Sequence, residues 1–304
     1  MSAANNLTAE YPPNGVVGFA VLMTLVVTGI LGNALVCMTI IRARFMHTTT
    51  NYLIAHLALA DLLVCATFLA FQEHFIQSPN EIEDPLLCVL FKNLLLVWFM
   101  VNVSIASMVL VTFERYIAIV HPLHYPRYLS SRRVQLVIAG IWLLSAPLAS
   151  IHIFLPNTTA YSEGCLQDLT LRKNTVTALY VFLTAVYTLP MLSLFYCYGR
   201  IMINLHRSAR QHRGANAGHA EDLNRAQRKV SLVLLTVAVV YIIVWVTVTL
   251  SNIFLLFFDT PGSGVSNIVN QLYSILLVFN SVINPIIYAF RYKDLHTALT
   301  RVVQ

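Results

Sequence analysis

Asp61 is the residue of this sequence whose chemistry constrains its surroundings most. It lies ten residues after Asn51, in a stretch from Asn51 to Gln72 that contains no other Asp, Glu, Lys or Arg. If this stretch crosses a membrane as a helix, ten residues at about 1.5 Å each place the carboxylate about 15 Å deep, near the bilayer midplane. A lone carboxylate there costs about 2.5–3.5 kcal/mol on insertion scales. It must therefore be protonated, paired with another group or bound to a cation.

Neutral oxygen atoms in other apolar stretches lie at comparable depth and are candidate partners of this carboxylate. They belong to Asn33, Ser104, Asn280, Ser281 and Asn284. Hard cations prefer oxygen ligands, so a carboxylate with several neutral oxygens is a reasonable site for a small cation. An ordinary buried hydrogen-bond network is the alternative that the residues leave open.

A second polar group, Glu114-Arg115-Tyr116, ends the charge-free stretch that follows Lys92. At a membrane boundary an arginine extends to the interface or turns inward toward the protein. Neighbours in sequence do not face each other along a helix, so an ion pair between Glu114 and Arg115 depends on the length of their side chains. Taken alone, the triplet is more typical of a snorkelling cluster than of a switch.

Catalysis and transport are poorly supported by these residues. An intramembrane enzyme needs paired carboxylates, a Ser/His pair or metal ligands at depth. His56, five residues before Asp61, is the only hint of such a site, and a hydrogen-bonded core histidine explains it better. A transporter usually shows inverted repeats or charges along several helices, and the sequence has neither. We expect no enzymatic activity and keep a membrane transporter as a remote alternative.

Seven apolar segments hold these polar residues. The chain has 304 residues, of which 58% are hydrophobic and 11% charged, whereas a soluble domain carries about a quarter charged residues. A segment of about 20 apolar residues crosses a bilayer, and its backbone must be helical because no water is there to bond it. The segments lie near residues 16–41, 51–73, 88–116, 133–155, 174–203, 228–258 and 266–290. The predicted fold is an all-α membrane protein, a seven-transmembrane helix bundle in a single domain over residues 1–304.

The distribution of basic residues orients this bundle. If residues 1–15 are extracellular, 16 of the 19 Lys and Arg residues fall at cytoplasmic ends and loops, as the positive-inside rule requires. The net charge of +6 then reflects topology and the anionic lipid of the inner leaflet, and gives no support to nucleic-acid binding. We expect a multi-pass protein of the plasma membrane with an extracellular N-terminus.

Two kinds of covalent feature fall on the outer side in this topology. Asn6 and Asn157 begin Asn-X-Thr sequons, which we predict to be glycosylated. Asn102 begins a third sequon inside the third segment, where we disregard it. Cys88 and Cys165 are the two cysteines that share an oxidising compartment, which makes them the candidate disulfide. Two free thiols are the alternative.

The cytoplasmic side carries two further segments. Residues 204–227 form the one long loop, which is basic and predicted to be partly disordered. Residues 292–303 place apolar side chains at i, i+3, i+4 and i+7. This spacing predicts a short amphipathic C-terminal helix that lies on the inner membrane surface and contacts lipid.

Short motifs on the predicted segments resemble those of class A (rhodopsin-like) G-protein-coupled receptors, and the match covers nearly the whole chain. In chain order they are Gly32-Asn33-Ala34-Leu35-Val36, Leu57-Ala58-Leu59-Ala60-Asp61, Glu114-Arg115-Tyr116, Ile119-Val120-His121-Pro122-Leu123, Trp142, Pro190 with Tyr198 eight residues on, and Asn284-Pro285-Ile286-Ile287-Tyr288. Each motif is modest by itself. Their common order, each on its proper segment, makes chance a poor explanation.

The resemblance implies a receptor that transduces binding of an extracellular ligand into activation of a heterotrimeric G protein, with arrestin as a further partner. Arg115 would be held by Glu114 at rest and released toward the G protein when the sixth segment swings outward. The residues at the positions of the family's coupling switch are Glu114, Arg115, Tyr116, Pro122, Leu123, Tyr198, Asn284, Pro285 and Tyr288. Tyr198 and Tyr288 would approach Arg115 in the active state, and Leu123 would insert into the G protein.

The resemblance also implies an allosteric ion and no other cofactor. Asp61, Ser104, Asn280 and Asn284 stand at the positions of the family's sodium pocket. Sodium in that pocket favours the resting state, whereas ligand and G protein favour the active one. The three are therefore linked through one conformational equilibrium.

The sixth segment departs from the family pattern. Trp245 is kept, but Tyr241 replaces a phenylalanine and Thr247 stands where the family has a kink-forming proline. We expect Thr247 to bend this helix by bonding a backbone carbonyl. Gln227 replaces the acidic partner of Arg115 at the inner end of the segment, so the resemblance implies raised basal activity.

The third segment departs in its spacing. Cys88 precedes Arg115 by 27 residues, where the family has 25. Two extra helical residues rotate a side chain by about 200°. We therefore expect either an unwound outer turn of this segment or a displaced disulfide.

The ligand is less well defined than the switch. Val97 stands where receptors for amines carry an aspartate, and Val278 stands where opsins carry the retinal lysine, so neither ligand is expected. The positions that would line the pocket are apolar with hydroxyl and amide groups: Val97, Met100, Val101, Tyr187, Trp245, Thr249, Asn252 and Tyr273. They favour a peptide or a small apolar molecule. The run from His121 to Tyr125 is also similar to odorant receptors, which keeps a chemosensory role as the alternative.

Overall fold

Seven long helices dominate the computed structural model, which describes residues 13–77, 86, 90, 94–154, 173–211, 218–258 and 264–291. They are α1 (Pro13–Arg42), α2 (Thr49–Gln77), α3 (Leu95–Val120), α4 (Ser131–Ser150), α5 (Lys173–Gln211), α6 (Gly218–Phe258) and α7 (Gly264–Arg291). Short helical turns at Arg44–Met46, Pro122–His124, Tyr125–Tyr128 and Ile151–Phe154 connect or extend them. The chain is a seven-helix bundle, as its apolar segments predicted.

The helices are apolar on both their inner and outer faces. In the part of the chain that is described, α1 to α6 each hold an apolar window long enough to cross a membrane, and α7 holds a shorter one, Ser274–Ala289. Large apolar side chains such as Leu143 and Phe195 are about three-quarters exposed, at 74% and 76%. A helix that is apolar all round needs lipid on the side that protein does not cover. The chain is a multi-pass membrane protein.

Neighbours in sequence are mostly neighbours in the bundle, and α3 is its central helix. Helix α1 packs against α2 and α7, α5 packs against α6, and α6 packs against α7. Helix α3 contacts α2, α4, α5 and α6. This central position explains why α3 contributes to each of the polar clusters described below.

Two glycines let α1 approach its neighbours closely. A Cβ atom added at Gly29 would overlap the Cys65 sulfur of α2 and lie 3.0 Å from Val282 of α7. One added at Gly32 would lie 2.9 Å from the Pro285 ring. Small residues at such contacts allow the van der Waals packing that holds membrane helices together.

Replacing Gly29 with valine should therefore separate α1 from α2 and α7. Overpacking of this kind costs about 1–3 kcal/mol, and we expect a lower melting temperature of the purified protein. Gly140→Val is the matched control, because a Cβ at Gly140 of α4 meets nothing within 4 Å. Equal melting temperatures for the two variants would contradict this view of the α1 interface.

The observed helices differ from the apolar segments mainly at their ends. Helix α3 begins at Leu95 rather than at residue 88, because Leu94 adopts a left-handed φ of 55°, a conformation that a right-handed helix cannot continue through. Helices α5 and α6 extend to Gln211 and from Gly218, into the region predicted to be one long loop. The charged residues indicate where a segment leaves the bilayer, whereas the helix itself continues beyond that point into the water.

Candidate functional site

Asp61 is at the centre of a polar cluster that joins α2, α3 and α7. Its side chain is fully buried. The Ser104 hydroxyl donates to one carboxylate oxygen at 2.5 Å, and the Asn284 amide donates to the other at 2.7 Å. Ser281 also interacts favourably with the carboxylate. The structure thus brings together three of the oxygen-bearing residues that the sequence placed at this depth.

Asn33 completes the cluster from α1, for a reason that lies in α7. Pro285 has no N–H, so the carbonyl of Ser281, four residues earlier, loses its helical partner. The Asn33 amide donates to this carbonyl at 3.0 Å and to the Gly29 carbonyl at 2.9 Å. The proline of α7 and the asparagine of α1 therefore form one structural unit.

Two amide oxygens in this cluster are free to accept. The Oδ1 atoms of Asn33 and Asn284 are buried and have no hydrogen-bond partner among the described residues. A buried carboxylate beside unpartnered neutral oxygens fits the donor set of a hard cation. Asn280 is only half-buried, and among the described hydrogen bonds none joins it to Asp61.

Glu114 and Arg115 form an ion pair near the C-terminal end of α3. The guanidinium donates through Nε to Oε2 and through Nη2 to Oε1, each at 2.6 Å. Glu114 is fully buried, and the Arg115 side chain is 15% exposed. A bidentate, charge-assisted pair of this kind is among the stronger hydrogen-bonded contacts in proteins. Arg115 therefore turns inward onto Glu114.

Thr50 and Tyr125 hold the same carboxylate, and the sequence did not single them out. Thr50 of α2 donates to Glu114 Oε1 at 3.0 Å and accepts a hydrogen bond from Arg115. The Tyr125 hydroxyl donates to the same oxygen at 2.8 Å. Partial burial, and after it the charge of Glu114, raises the pKa of Tyr125, so its hydroxyl stays protonated and able to donate.

The other residues predicted for this switch lie on α5, on α7 and in the turn after α3. Tyr198 of α5 and Tyr288 of α7 are buried. The Tyr198 hydroxyl is 3.3 Å from the hydroxyl of Thr112, which precedes Arg115 in α3 by about one helical turn. Pro122 and Leu123 lie in the turn after α3, where Leu123 is 93% exposed. The Tyr116 hydroxyl is 3.1 Å from a His121 ring nitrogen.

His56 has a structural role that accounts for its position. The Trp142 indole of α4 donates to Nε2 of His56 at 3.1 Å. This leaves the proton on Nδ1, which lies 3.1 Å from the Ser107 hydroxyl of α3. The hydroxyl in turn donates to the Val103 carbonyl. His56 is thus a hydrogen-bonded core histidine that joins α2, α3 and α4, as expected from the sequence.

Of the predicted pocket residues, the structure brings Tyr187 of α5 and Trp245 of α6 into contact. Val97, Val101, Tyr187 and Trp245 are buried, and the Tyr187 and Trp245 rings stack with centroids 4.8 Å apart. Met100 and Thr249 are partly buried. The side chains of Asn252 and Tyr273 lie outside the described part of the structure.

Three further residues belong to this region and were missed from the sequence. His152, in the turn after α4, stacks on Trp98 with ring centroids 3.7 Å apart, and its Nε2 lies 2.9 Å from the Tyr187 hydroxyl. That hydroxyl donates to Oδ1 of Asn102 at 3.0 Å. Asn102 was disregarded as a false sequon. A polar side chain at that depth of α3 was the signal that could have identified it.

Helix α6 continues unbroken past Thr247. The Thr247 hydroxyl donates to the Ile243 carbonyl at 2.9 Å, which confirms the expected bond to the backbone. The hydroxyl of Ser251 repeats the pattern one turn later, toward the Thr247 carbonyl.

Some predicted features fall outside the described residues. They are the disulfide Cys88–Cys165, the sequons at Asn6 and Asn157, the extracellular segment 1–15 as a whole, the amphipathic segment 292–303 and the side chain of Gln227. They stay predictions.

Comparison with known proteins shows which family this arrangement of helices and side chains resembles. The family model described as "7 transmembrane receptor (rhodopsin family)" matches residues 32–288, a range that holds Asp61, the Glu114–Arg115 pair and Asn284. The human substance-K receptor is 35% identical over 231 residues, which are 72% of this chain and 56% of that protein. The chain thus spans about half the length of this relative.

Two further relatives, which match at lower identity, are also named as receptors. The dopamine D2-like receptor of Drosophila melanogaster is 30% identical over 203 residues, 67% of this chain and 22% of that protein. Somatostatin receptor type 1 of Rattus norvegicus is 27% identical over 312 residues, 99% of this chain and 75% of that protein. Together with the family match, these similarities mean that this chain belongs to the rhodopsin family of seven-transmembrane receptors.

Proposed function

We propose that this protein is a G-protein-coupled receptor of the plasma membrane, which converts binding of an extracellular ligand into activation of a heterotrimeric G protein. The observation that carries the proposal is the Glu114–Arg115 pair at 2.6 Å, close in sequence to the exposed Leu123. The buried ion pair holds Arg115 against Glu114, which is one of the two arrangements that the proposed switch requires. The exposed leucine is suited to an apolar pocket on a cytoplasmic partner.

The proposed mechanism is a shift between two packings of the inner end of the bundle. At rest Glu114 and Thr50 hold Arg115, and Tyr125 holds Glu114. Outward movement of α6 opens a cavity in which Arg115 leaves Glu114 and contacts the G protein, near the hydroxyls of Tyr198 and Tyr288. Ligand and G protein both favour the open packing, so each increases the affinity for the other. Arrestin is a further partner of the same cavity, and lipid covers the outer faces.

We propose sodium as an allosteric ligand of Asp61, Ser104, Asn280 and Asn284. The buried carboxylate and the unpartnered oxygens of Asn33 and Asn284 support this assignment. When bound, the ion would supply a positive charge that offsets Asp61 where α2, α3 and α7 meet. The residues of this cluster would then favour their resting packing, in opposition to the ligand.

The residues predicted to line the ligand pocket favour a peptide or a small apolar molecule. Val97 and Val101 are apolar, and Tyr187 and Trp245 are aromatic side chains with polar edges, all four of them buried. The likeness to receptors named for substance K and somatostatin agrees with this choice. A chemosensory receptor for small volatile molecules is the second candidate, favoured by the His-Pro-Leu-His-Tyr run that starts at His121.

Signalling in cells tests this proposal. We expect the chain, expressed with a panel of G-protein dissociation sensors, to respond to at least one member of a peptide and small-molecule library. We also expect basal signalling that rises with expression, because Gln227 supplies no charge to restrain Arg115. Arg115→Ala should be silent at the same surface level. A response that survives in Arg115→Ala, or silence of the chain with every sensor, would contradict the proposal.

A further inference from the structure

Five side chains form a compact cluster between α3, α5, α6 and the turn after α4. They are Trp98, Asn102, His152, Tyr187 and Trp245, which we call the aromatic–amide cluster. Each is at most 7% exposed. The rings of Trp98 and His152 stack with centroids 3.7 Å apart, and those of Tyr187 and Trp245 stack with centroids 4.8 Å apart. The cluster lies in the region of the pocket proposed above, on the outer side of the Asp61 cluster.

The hydrogen bonds of this cluster run in one direction. Tyr187 has a single hydroxyl proton, and it is donated to Oδ1 of Asn102. The contact of 2.9 Å between this hydroxyl and Nε2 of His152 therefore requires the imidazole to donate. The chain of donors thus runs from His152 through Tyr187 to Asn102, and it ends on an amide whose oxygen is already used.

Two donors remain without acceptors. Nδ2 of Asn102 and Nε1 of Trp245 are buried and have no hydrogen-bond partner among the described residues. Buried polar atoms are nearly always paired in folded proteins, and an unpaired one calls for an unseen partner. Both residues contact Tyr187, one through its hydroxyl and the other through its ring. Two residues that contact Tyr187 therefore each carry an unpartnered donor, which indicates a missing acceptor.

The surroundings decide which acceptor fits. Val97 and Val101, which are next to Trp98 and Asn102 on α3, are both buried. Neither the cluster nor these neighbours carry a cation that would offset a carboxylate, and a buried charge without a partner is strongly disfavoured. A neutral carbonyl oxygen satisfies N–H donors without adding charge. The stacked rings add a flat apolar surface beside it.

We propose that the aromatic–amide cluster is the ligand subsite for a neutral carbonyl group on or beside a flat ring. This inference rests on the proposed function, in that the ligand enters the bundle from outside. An aromatic amide is the simplest molecule with the required chemistry. Asn102 sets the preference for a carbonyl group, because its amide presents the free N–H donor. Trp245 supplies a second N–H donor and an aromatic surface on which the ligand ring stacks.

Binding of two matched fragments to the purified chain in lipid nanodiscs tests the subsite. N-Methylbenzamide carries the carbonyl, and N-methylbenzylamine has the same ring and nitrogen but a charged ammonium and no carbonyl. Saturation-transfer NMR measures both without any G protein. We expect the amide to bind at least about tenfold more tightly than the amine, as one well-formed hydrogen bond together with avoidance of a buried charge requires.

Substitutions at Asn102 separate this subsite from general partitioning into lipid. Asn102→Leu should weaken amide binding about tenfold, whereas Asn204→Leu, the same change at the inner end of α5, should leave it unchanged. Asn102→Asp replaces the donor by an acceptor and should reverse the preference toward the amine. Melting temperatures of the variants show whether each is folded.

Three results would overturn the subsite: no amide binding to the unaltered chain, equal binding of amide and amine, or amide binding that Asn102→Leu leaves unchanged. The last would mean that water rather than ligand satisfies the amide. Amide binding to a chain that activates no G protein with any member of the library would support the subsite and count against the proposed function. The two failures are therefore distinguishable.

Discussion

Asp61→Asn should abolish the effect of sodium on the stability of this protein. In the unaltered chain, exchanging potassium chloride for sodium chloride at constant ionic strength should raise the melting temperature. An ion at about ten times its dissociation constant stabilises the folded state by about 1.4 kcal/mol, which corresponds to a few degrees. Asparagine keeps the size and one oxygen of the aspartate, but it removes the charge that attracts the cation.

Two controls make the sodium result specific. Ser104→Ala removes the hydroxyl that lies 2.5 Å from the carboxylate and should weaken the sodium effect without abolishing it, because Asp61 and the amide oxygens remain. In potassium, Asp61→Asn should melt no lower than the unaltered chain, since a buried charge without its counterion is itself costly. A sodium effect that persists in Asp61→Asn would mean that the ion binds elsewhere.

Glu114→Gln should produce the largest rise in ligand-free signalling of any single substitution around the Glu114–Arg115 pair. The substitution keeps the hydrogen bonds that Thr50 and Tyr125 donate to Oε1 but removes the charge that holds Arg115. Couplings of this kind amount to about 1–3 kcal/mol, so basal G-protein activation should rise about five- to a hundredfold until the sensor saturates. A sensor of G-protein dissociation in cells, read at matched surface expression, measures this directly.

Tyr125→Phe is the graded companion of that substitution. It removes the hydroxyl that donates to Glu114 at 2.8 Å and leaves the ion pair intact, so a smaller rise of about two- to tenfold is expected from one lost hydrogen bond. Tyr128→Phe is the matched control, because Tyr128 is exposed in the same short turn. Unchanged basal signalling in Glu114→Gln would mean that the pair does not restrain the receptor.

The features predicted well from the sequence are those in which a single residue carries a large cost. A carboxylate in an apolar segment must find partners, and the structure supplies Ser104 and Asn284 for Asp61. Seven apolar segments must be helices in a bilayer, because their backbone has no other way to pair. In both cases the physics of burial leaves few solutions, so a pattern of residue types is enough.

The features that the sequence did not predict depend on how helices approach one another. Thr50 and Tyr125 are ordinary residues until the packing of α2 and the turn after α3 brings both to Glu114. Asn102 looks like a false sequon until Tyr187 of α5 meets it. The start of α3 at Leu95 depends on one left-handed residue, Leu94, whose conformation its side chain does not favour.

Nucleotide exchange on purified G proteins tests the central claim most directly. The unaltered chain, Glu114→Gln and Arg115→Ala are placed in nanodiscs without ligand, and binding of a non-hydrolysable GTP analogue is followed for each class of heterotrimer. We predict that Glu114→Gln accelerates exchange on at least one class above the rate of the unaltered chain, while Arg115→Ala matches empty nanodiscs. Folded Glu114→Gln protein that accelerates exchange on no class, or Arg115→Ala that is as active as the unaltered chain, would contradict the account.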